Sequence, residues 1–241
     1  YWVVEGRGNG GAVAVNRLVQ AGASPSWTTS GLDVTGFHHE PGAIVVPYNR
    51  AHEAIVAGIA KDLGLRVDGA KGKLPSNLLL IGRARVGLLK PWTASIDEGW
   101  TRLVLEQYGF AFTSLTDQQV RAGNLRAGFD VILLPNVPGE RLAAGASDDV
   151  LPAEYAGGLG GAGLEALRAF VESGGSLVCL GQSADLAVRT FDLPVRDAAR
   201  DNDQLFVPGS IVRLSLDTTQ PLAYGMPSES AGVFAFSSVY Q

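Results

Sequence analysis

The sequence predicts an α/β protein organised around a doubly wound, mostly parallel sheet. Three observations lead there. Strand-length apolar runs alternate with segments whose apolar residues recur at helical spacing. The runs are nearly continuous, as in Val131-Ile132-Leu133-Leu134, which suits strands covered on both faces. Glycine is abundant, 31 of 241 residues, and concentrates at element ends, where turns and caps need positive φ. Right-handed crossovers through such units give a flavodoxin-like arrangement, preceded here by a smaller α/β unit.

The elements follow in order. Trp2-Val3-Val4 is a short apolar run, and Ala12, Val15, Leu18 and Val19 then recur as one helix face. Ser24–Pro41 reads as polar and turn-rich. Ala43–Pro47 is a second buried strand, and Ala51–Leu63 is a helix with Ile55, Ile59 and Leu63 on one side and Gly64 as its cap. This small β-α-β-α unit ends near residue 68, and residues 69–83 read as a connection, so the first domain spans 1–83. The second spans 84–241. Val86–Leu89 is a strand, and Ser95-Ile96-Asp97-Glu98 is a capping-box pattern opening a helix with Trp100, Leu103, Val104 and Tyr108 on one stripe. Ala111–Leu115 is a strand, a helical turn begins at Thr116-Asp117, and Phe129–Pro135 is a further strand. A Gly/Ala-rich loop runs from Val137 to about Gly161. Leu164, Leu167 and Val171 mark a helix, Ser176–Leu180 a strand, and Ala184–Thr190 another helix. Ile211–Leu216 and part of Val233–Val239 alternate with period two and read as antiparallel additions.

Composition excludes several classes. With 46% hydrophobic and 18% charged residues the chain has an ordinary globular balance. The net charge of −5 and the lack of a Lys/Arg-rich block argue against a nucleic-acid partner. No run approaches the ~18 apolar residues of a membrane span. A single cysteine allows no internal disulfide, which fits the cytosol or a secreted protein large enough to need no staples. The chain begins at Tyr1 with no signal peptide, so a piece of a longer polypeptide or a processed product is expected.

The lone cysteine lies in Ser176-Leu177-Val178-Cys179-Leu180-Gly181, where a strand runs into a helix. The arrangement resembles the nucleophile elbow of class I glutamine amidotransferases. N–H groups at a helix start lower a thiol pKa and can hold an oxyanion. Yet a thiol nucleophile needs a base, and His38, His39 and His52 all precede it, whereas the triad histidine of that family follows the elbow. Leu177 stands where the elbow usually has glycine, and Asp185 completes no triad without an imidazole. The expected role of Cys179 is therefore a small core residue, with a Cys179-dependent amidotransferase or amidohydrolase as the alternative.

Three other groups invite chemistry. His38-His39-Glu40 suggests a metal, but adjacent residues in a Gly/Pro-flanked loop rarely converge on one ion, and His52-Glu53 lacks a second histidine at helical spacing. A solvated loop and no metal are expected. Gly6-Arg7-Gly8-Asn9-Gly10-Gly11 loosely matches a dinucleotide-binding turn. The acid that would grip a ribose about 20 residues on has only Asp33 as candidate, in a polar stretch, so a flexible turn is expected and nucleotide binding is the alternative. Trp92, Thr93, Asp97, Glu98 and Trp100 cluster just after a strand, at the carboxyl edge where such sheets hold ligands. They are the candidate ligand-binding residues; helix capping and core packing by the tryptophans is the other reading of the same cluster.

Three longer runs carry a family resemblance: RVGLLKPWTASIDEGWTRLVLEQYGFAFTSLTDQQVRAGNLRAGFDVILLP (Arg85–Pro135), GGSLVCLGQSADLAV (Gly174–Val188) and FVPGSIVRLSLDTTQPLAYGMP (Phe206–Pro227). They resemble the C-terminal region of bacterial zinc carboxypeptidase-like proteins, in which a class I glutamine amidotransferase-like domain follows a carboxypeptidase A-like one. The resemblance covers about Arg85–Pro227 and is weaker over residues 1–84. It implies a non-catalytic accessory region of a metallopeptidase, secreted or periplasmic, with the peptidase domain of the same polypeptide as partner and a peptide or cell-wall ligand. It also implies a final strand and helix that this chain lacks. Zinc is expected only in the peptidase domain. The family's H-x-x-E motif finds no match, because Pro41, Gly42 and Ile55 stand three residues after His38, His39 and His52.

Overall fold

A computed structural model describes residues 1–198, 209–235 and 238–241. Residues 206–208 of the run quoted above, and 236 and 237 of the expected strand Val233–Val239, lie outside the described residues. The chain forms two compact units. Unit 1 comprises Tyr1–Arg83 and Ile211–Gly232, and unit 2 comprises Ala84–Ser210 and Val233–Gln241.

Unit 1 contains β1 (Trp2–Val4), α1 (Gly8–Gln20), β2 (Ser26–Thr28), β3 (Leu32–Val34), β4 (Phe37–His39), β5 (Ile44–Val46), α2 (Glu53–Leu63), β6 (Val67–Gly69) and β7 (Leu78–Leu80). Five of these strands form a sheet in the order β6-β1-β5-β2-β7, every pair antiparallel. β3 and β4 form a separate hairpin, closed by Thr35 and Gly36, both at positive φ, as a two-residue hairpin turn with the right twist requires. The segment Ser24–Pro41 thus holds three short strands, β2, β3 and β4, rather than an open turn region. Three-residue strands are too short for alternation to reveal them in sequence. Ile44-Val45-Val46 is continuous because the sheet is covered twice. Ile44 and Val46 meet Ala14, Leu18 and Ile59 from the helices, while Val45 packs with Val3, Val34 and Leu32 beneath the hairpin. Burial on both faces makes the run apolar whatever the strand direction. Gly64 caps α2 in the left-handed conformation, as its position predicts.

Unit 2 contains β8 (Val86–Leu89), α3 (Ile96–Gln107), β9 (Phe112–Leu115), α4 (Asp117–Arg121), α5 (Leu125–Gly128), β10 (Val131–Leu134), α6 (Gly139–Ala144), α7 (Gly160–Glu172), β11 (Ser176–Cys179) and α8 (Ala184–Thr190). Its four strands form a parallel sheet in the order β11-β10-β8-β9. The fold is mixed α/β, with this parallel sheet flanked by helices. One sheet face packs Leu89, Leu115, Ile132 and Leu134 against Leu142, Leu167, Phe170 and Leu186. At the amino end of the strands, Arg85 grips Asp130 through Nε and Nη2, at 2.9 and 2.8 Å. Two further strands, β12 (Ser210–Ser215) and β13 (Glu229–Phe234), pair with each other and, among the described residues, extend neither larger sheet.

Helix α3 is turned opposite to the expected way. Its buried residue is Glu98, which pairs with Arg102, and Arg102 donates to Ser114 Oγ at 3.0 Å. The stripe expected to face the core points outward, with Trp100 61% and Val104 51% exposed. The buried carboxylate is satisfied where it lies, by Arg102 on the same helix, which Ser114 of β9 holds in turn.

Candidate functional site

The strand order locates the topological switch point of unit 2. The chain leaves β8 for β9 on one side and passes to β10 on the other, so the crossover direction reverses between β8 and β10. Parallel sheets bind ligands outside the carboxyl ends of their strands at such a point. The loop after β8 carries Trp92 and Thr93 and leads into α3. Ser95 caps this helix by accepting the Glu98 N–H at 3.2 Å. The reciprocal half of the expected capping box is absent, because Glu98 is committed to Arg102. The complete box sits instead at Thr116 and Gln119.

Asn136, two residues beyond β10, ties this edge together. Its Oδ1 accepts the Gln182 N–H at 2.9 Å, and its Nδ2 donates to Asp97 Oδ2 at 3.3 Å. Loops from three strands therefore meet at one amide. Gly181 makes the close approach possible. It sits at φ +54°, and a Cβ there would stand 2.4 Å from Asn136 Oδ1.

Of the five sequence-predicted ligand residues, Asp97 joins this junction and Glu98 turns away beneath α3. Trp92 is half exposed and lies against Tyr155, with ring centroids 4.5 Å apart. Thr93 is partly exposed on the same loop, and Trp100 stands on the outward face of α3. Neither tryptophan belongs to a core cluster, so the core-packing reading of these two side chains does not hold. The Trp92 backbone N–H reaches the buried carboxylate of Asp117, whose pKa is raised by burial, against the pull of that hydrogen bond and of Arg121. Asp117 Oδ1 has no partner among the described residues. Sequence reading missed Asn136, Asp117 and Tyr155. Proline before Asn136 and glycine at 181 were the available signals, and Tyr155 gave none.

Cys179 is the last residue of β11, opposite Leu134. Its side chain packs against the core cluster of unit 2. Burial pushes the thiol up from 9.0 to about 11, the opposite of what a thiolate nucleophile needs. The positive-φ turn that follows falls on Gly181 and not on the cysteine. Unit 2 contains no histidine.

Unit 1 holds a second constellation. His38 and His39 lie on a strand, not a solvated loop, so they point to opposite faces. His38 Nδ1 lies 2.9 Å from Asp33 Oδ1 across the hairpin, on the exposed side. His39 is buried, with Nε2 at 2.9 Å from Asp68 Oδ2. Asp68 also accepts from Arg66 through both oxygens, at 2.6 and 2.9 Å, and from Thr35 Oγ1 at 2.9 Å. These bonds, Arg66 foremost, hold its pKa at about 2 in spite of burial. The Arg66 guanidinium lies 4.1 Å from the centroid of the Phe37 ring. The network pins the β3–β4 hairpin to β6. The sequence reading singled out His39 but neither Arg66 nor Asp68, because the link between His39 and Asp68 spans 29 residues and leaves no local signal.

The glycine-rich turn is explained by packing. A Cβ at Gly6 would stand 2.0 Å from the Gly42 carbonyl oxygen, and one at Gly225 would stand 2.3 Å from the Gly6 oxygen. The Gly8 N–H is donated to the Gly225 carbonyl at 3.0 Å. The Gly8 N–H is thus committed within the chain rather than free for a phosphate.

Among the described residues no three His, Cys, Asp or Glu side chains gather as a metal would require, and no helix is long and apolar enough to cross a membrane. Comparison of the chain with family models, curated proteins and solved structures returns no match.

Proposed function

We propose that the chain is a non-catalytic accessory region of a zinc carboxypeptidase-like metallopeptidase, binding a peptide or cell-wall ligand at the carboxyl edge of unit 2. In this reading unit 2 is a flavodoxin-like, class I glutamine amidotransferase-like domain, its natural partner is the peptidase domain of the same polypeptide, and the zinc belongs to that domain. The observation that carries the binding role is the reversal of crossover direction between β8 and β10. There Asn136 fixes Asp97, while Trp92 and Tyr155 offer an aromatic pair with exposed surface. Rigid aromatic groups beside fixed polar ones are the usual makings of a recognition surface. The order β9-β8-β10-β11 supports the fold assignment, because it matches the first four strands of the 2-1-3-4-5 pattern. The half-buried thiol, with its pKa raised by burial, supports a role without covalent chemistry. The test is deletion of the region from the full-length polypeptide. Altered substrate range or turnover on cell-wall peptides, with the peptidase domain still folded and zinc-loaded, is expected; unchanged values would overturn the accessory role.

A further inference from the structure

The loop between α6 and α7 is closed at its neck and holds Tyr155 against Trp92. Ala146 and Gly157 form an antiparallel bridge, the Gly157 N–H being donated to the Ala146 carbonyl at 2.6 Å. Glycine is needed there, because a Cβ at Gly145 would stand 2.1 Å from the Gly157 backbone. Inside the loop the N–H groups of Tyr155 and Ala156 both return to the Pro152 carbonyl, at 2.8 and 3.0 Å. On the facing loop the Trp92 N–H is held by Asp117. Both aromatic residues are thus anchored through their own main chain, and neither ring belongs to a core cluster.

The two rings are tilted by 57° with centroids 4.5 Å apart, and 41% of Trp92 and 37% of Tyr155 remain exposed. Rings tilted in this way form a wedge rather than a closed stack. Their faces are the negative side of the aromatic quadrupole, which attracts cations. The Tyr155 hydroxyl donates to the Glu154 carboxylate, which sets a negative charge beside the wedge. A carboxylate offers about four lone-pair sites, so this one can accept further donors.

The surrounding charges point the same way. Glu154 is exposed and makes no ion pair among the described residues, and the same holds for Asp97, which Asn136 keeps on this edge. Arg121, which reaches the same loop, is committed to the Gly158 carbonyl. Resting on the reading that this edge binds a peptide, we propose that the Trp92–Tyr155 wedge is the subsite for a primary ammonium group on a side chain of that peptide. The cation lies against the ring faces and donates an N–H to Glu154. A quaternary ammonium would meet the rings but has no N–H for the carboxylate.

The test titrates the intact chain, carrying ¹⁵N-labelled tryptophan, with three probes: a tripeptide blocked at both ends with a central lysine, the same peptide acetylated on the lysine amine, and choline. Trp92→Phe identifies the Trp92 indole resonance. The lysine peptide should shift that resonance saturably and bind about tenfold tighter than the acetylated one, the scale of an exposed cation–π contact and one screened charge contact together. Choline should bind more weakly than the lysine peptide. Glu154→Gln should cut the preference for the free amine to about threefold, with the unfolding midpoint unchanged. The proposal is overturned if choline binds as tightly as the lysine peptide or if Glu154→Gln leaves the preference intact. Equal binding of the two peptides at Trp92 also overturns it, while leaving a peptide-binding role for this edge in place. If neither peptide moves Trp92 at millimolar concentration the subsite is again wrong, and only saturable shifts with a larger cell-wall peptide would then keep the wider role.

Discussion

Asn136 accepts the backbone N–H of Gln182 at 2.9 Å, and through its other amide atom it holds Asp97. The turn after β11 is thereby tied to the end of β10 and to the first turn of α3. The site rests on this junction, and its strength is measurable.

Gly181→Ala should destabilise unit 2 by about 2–3 kcal/mol, because it places a Cβ in the left-handed region and drives it into the Asn136 amide. Asn136→Ala should cost about 1–2 kcal/mol by orphaning the Gln182 N–H. In urea unfolding the double variant should lose less than the sum, because alanine at 136 removes the clash.

Cys179 should react slowly with thiol reagents in the native protein near neutral pH. The rate should climb steeply with pH toward the thiol pKa of about 11 and should jump on unfolding. Fast native labelling that levels off near neutrality would contradict a thiol whose pKa is raised by its packing against the core.

The Asp68 network should make unit 1 acid-sensitive. The folded pKa of Asp68 is depressed from 3.8 to about 2, so its contribution is complete above 3.8 and fades as pH falls through that value toward 2. For a side chain this buried the contribution is about 2 kcal/mol. Asp68→Asn should destabilise at neutral pH and flatten the acid side of the stability curve, read by thermal melts across pH.

Asp117 has the opposite sign. Burial raises its pKa above 3.8, so the folded state resists ionisation and stability declines as pH rises from that value. Asp117→Asn keeps an acceptor for the Trp92 N–H and removes the charge. It should raise the melting temperature at neutral pH, with the gain disappearing below about pH 4.

The parallel half of the fold was readable because its signals are local. Val131–Leu134 and Ser176–Cys179 are apolar runs bounded by turns, and helical spacing marks what lies between. Unit 1 was less readable. Its strands are three residues long, and its sheet is antiparallel although Ile44-Val45-Val46 looks like a parallel core strand. Periodicity reports how many faces are buried, not which way a neighbour runs. The orientation of α3 was hidden for a related reason. Trp100, Leu103 and Val104 form a proper apolar stripe, yet it faces outward while the Glu98–Arg102 pair with Ser114 occupies the sheet side. In the proposed site, Trp92 and Asp97 were read from their place after a strand. Asn136 and Asp117 escaped because their roles come from contacts across 20 residues or more of chain.

Chemical-shift mapping of the intact chain titrated with a peptidoglycan-derived muropeptide tests the central claim most directly. Saturable shifts of the Trp92 indole N–H together with the Asp97 and Asn136 amides, abolished in Trp92→Ala and indifferent to Cys179→Ala, are predicted. Shifts that leave those three groups unmoved, or turnover of the probe that stops in Cys179→Ala, would contradict it.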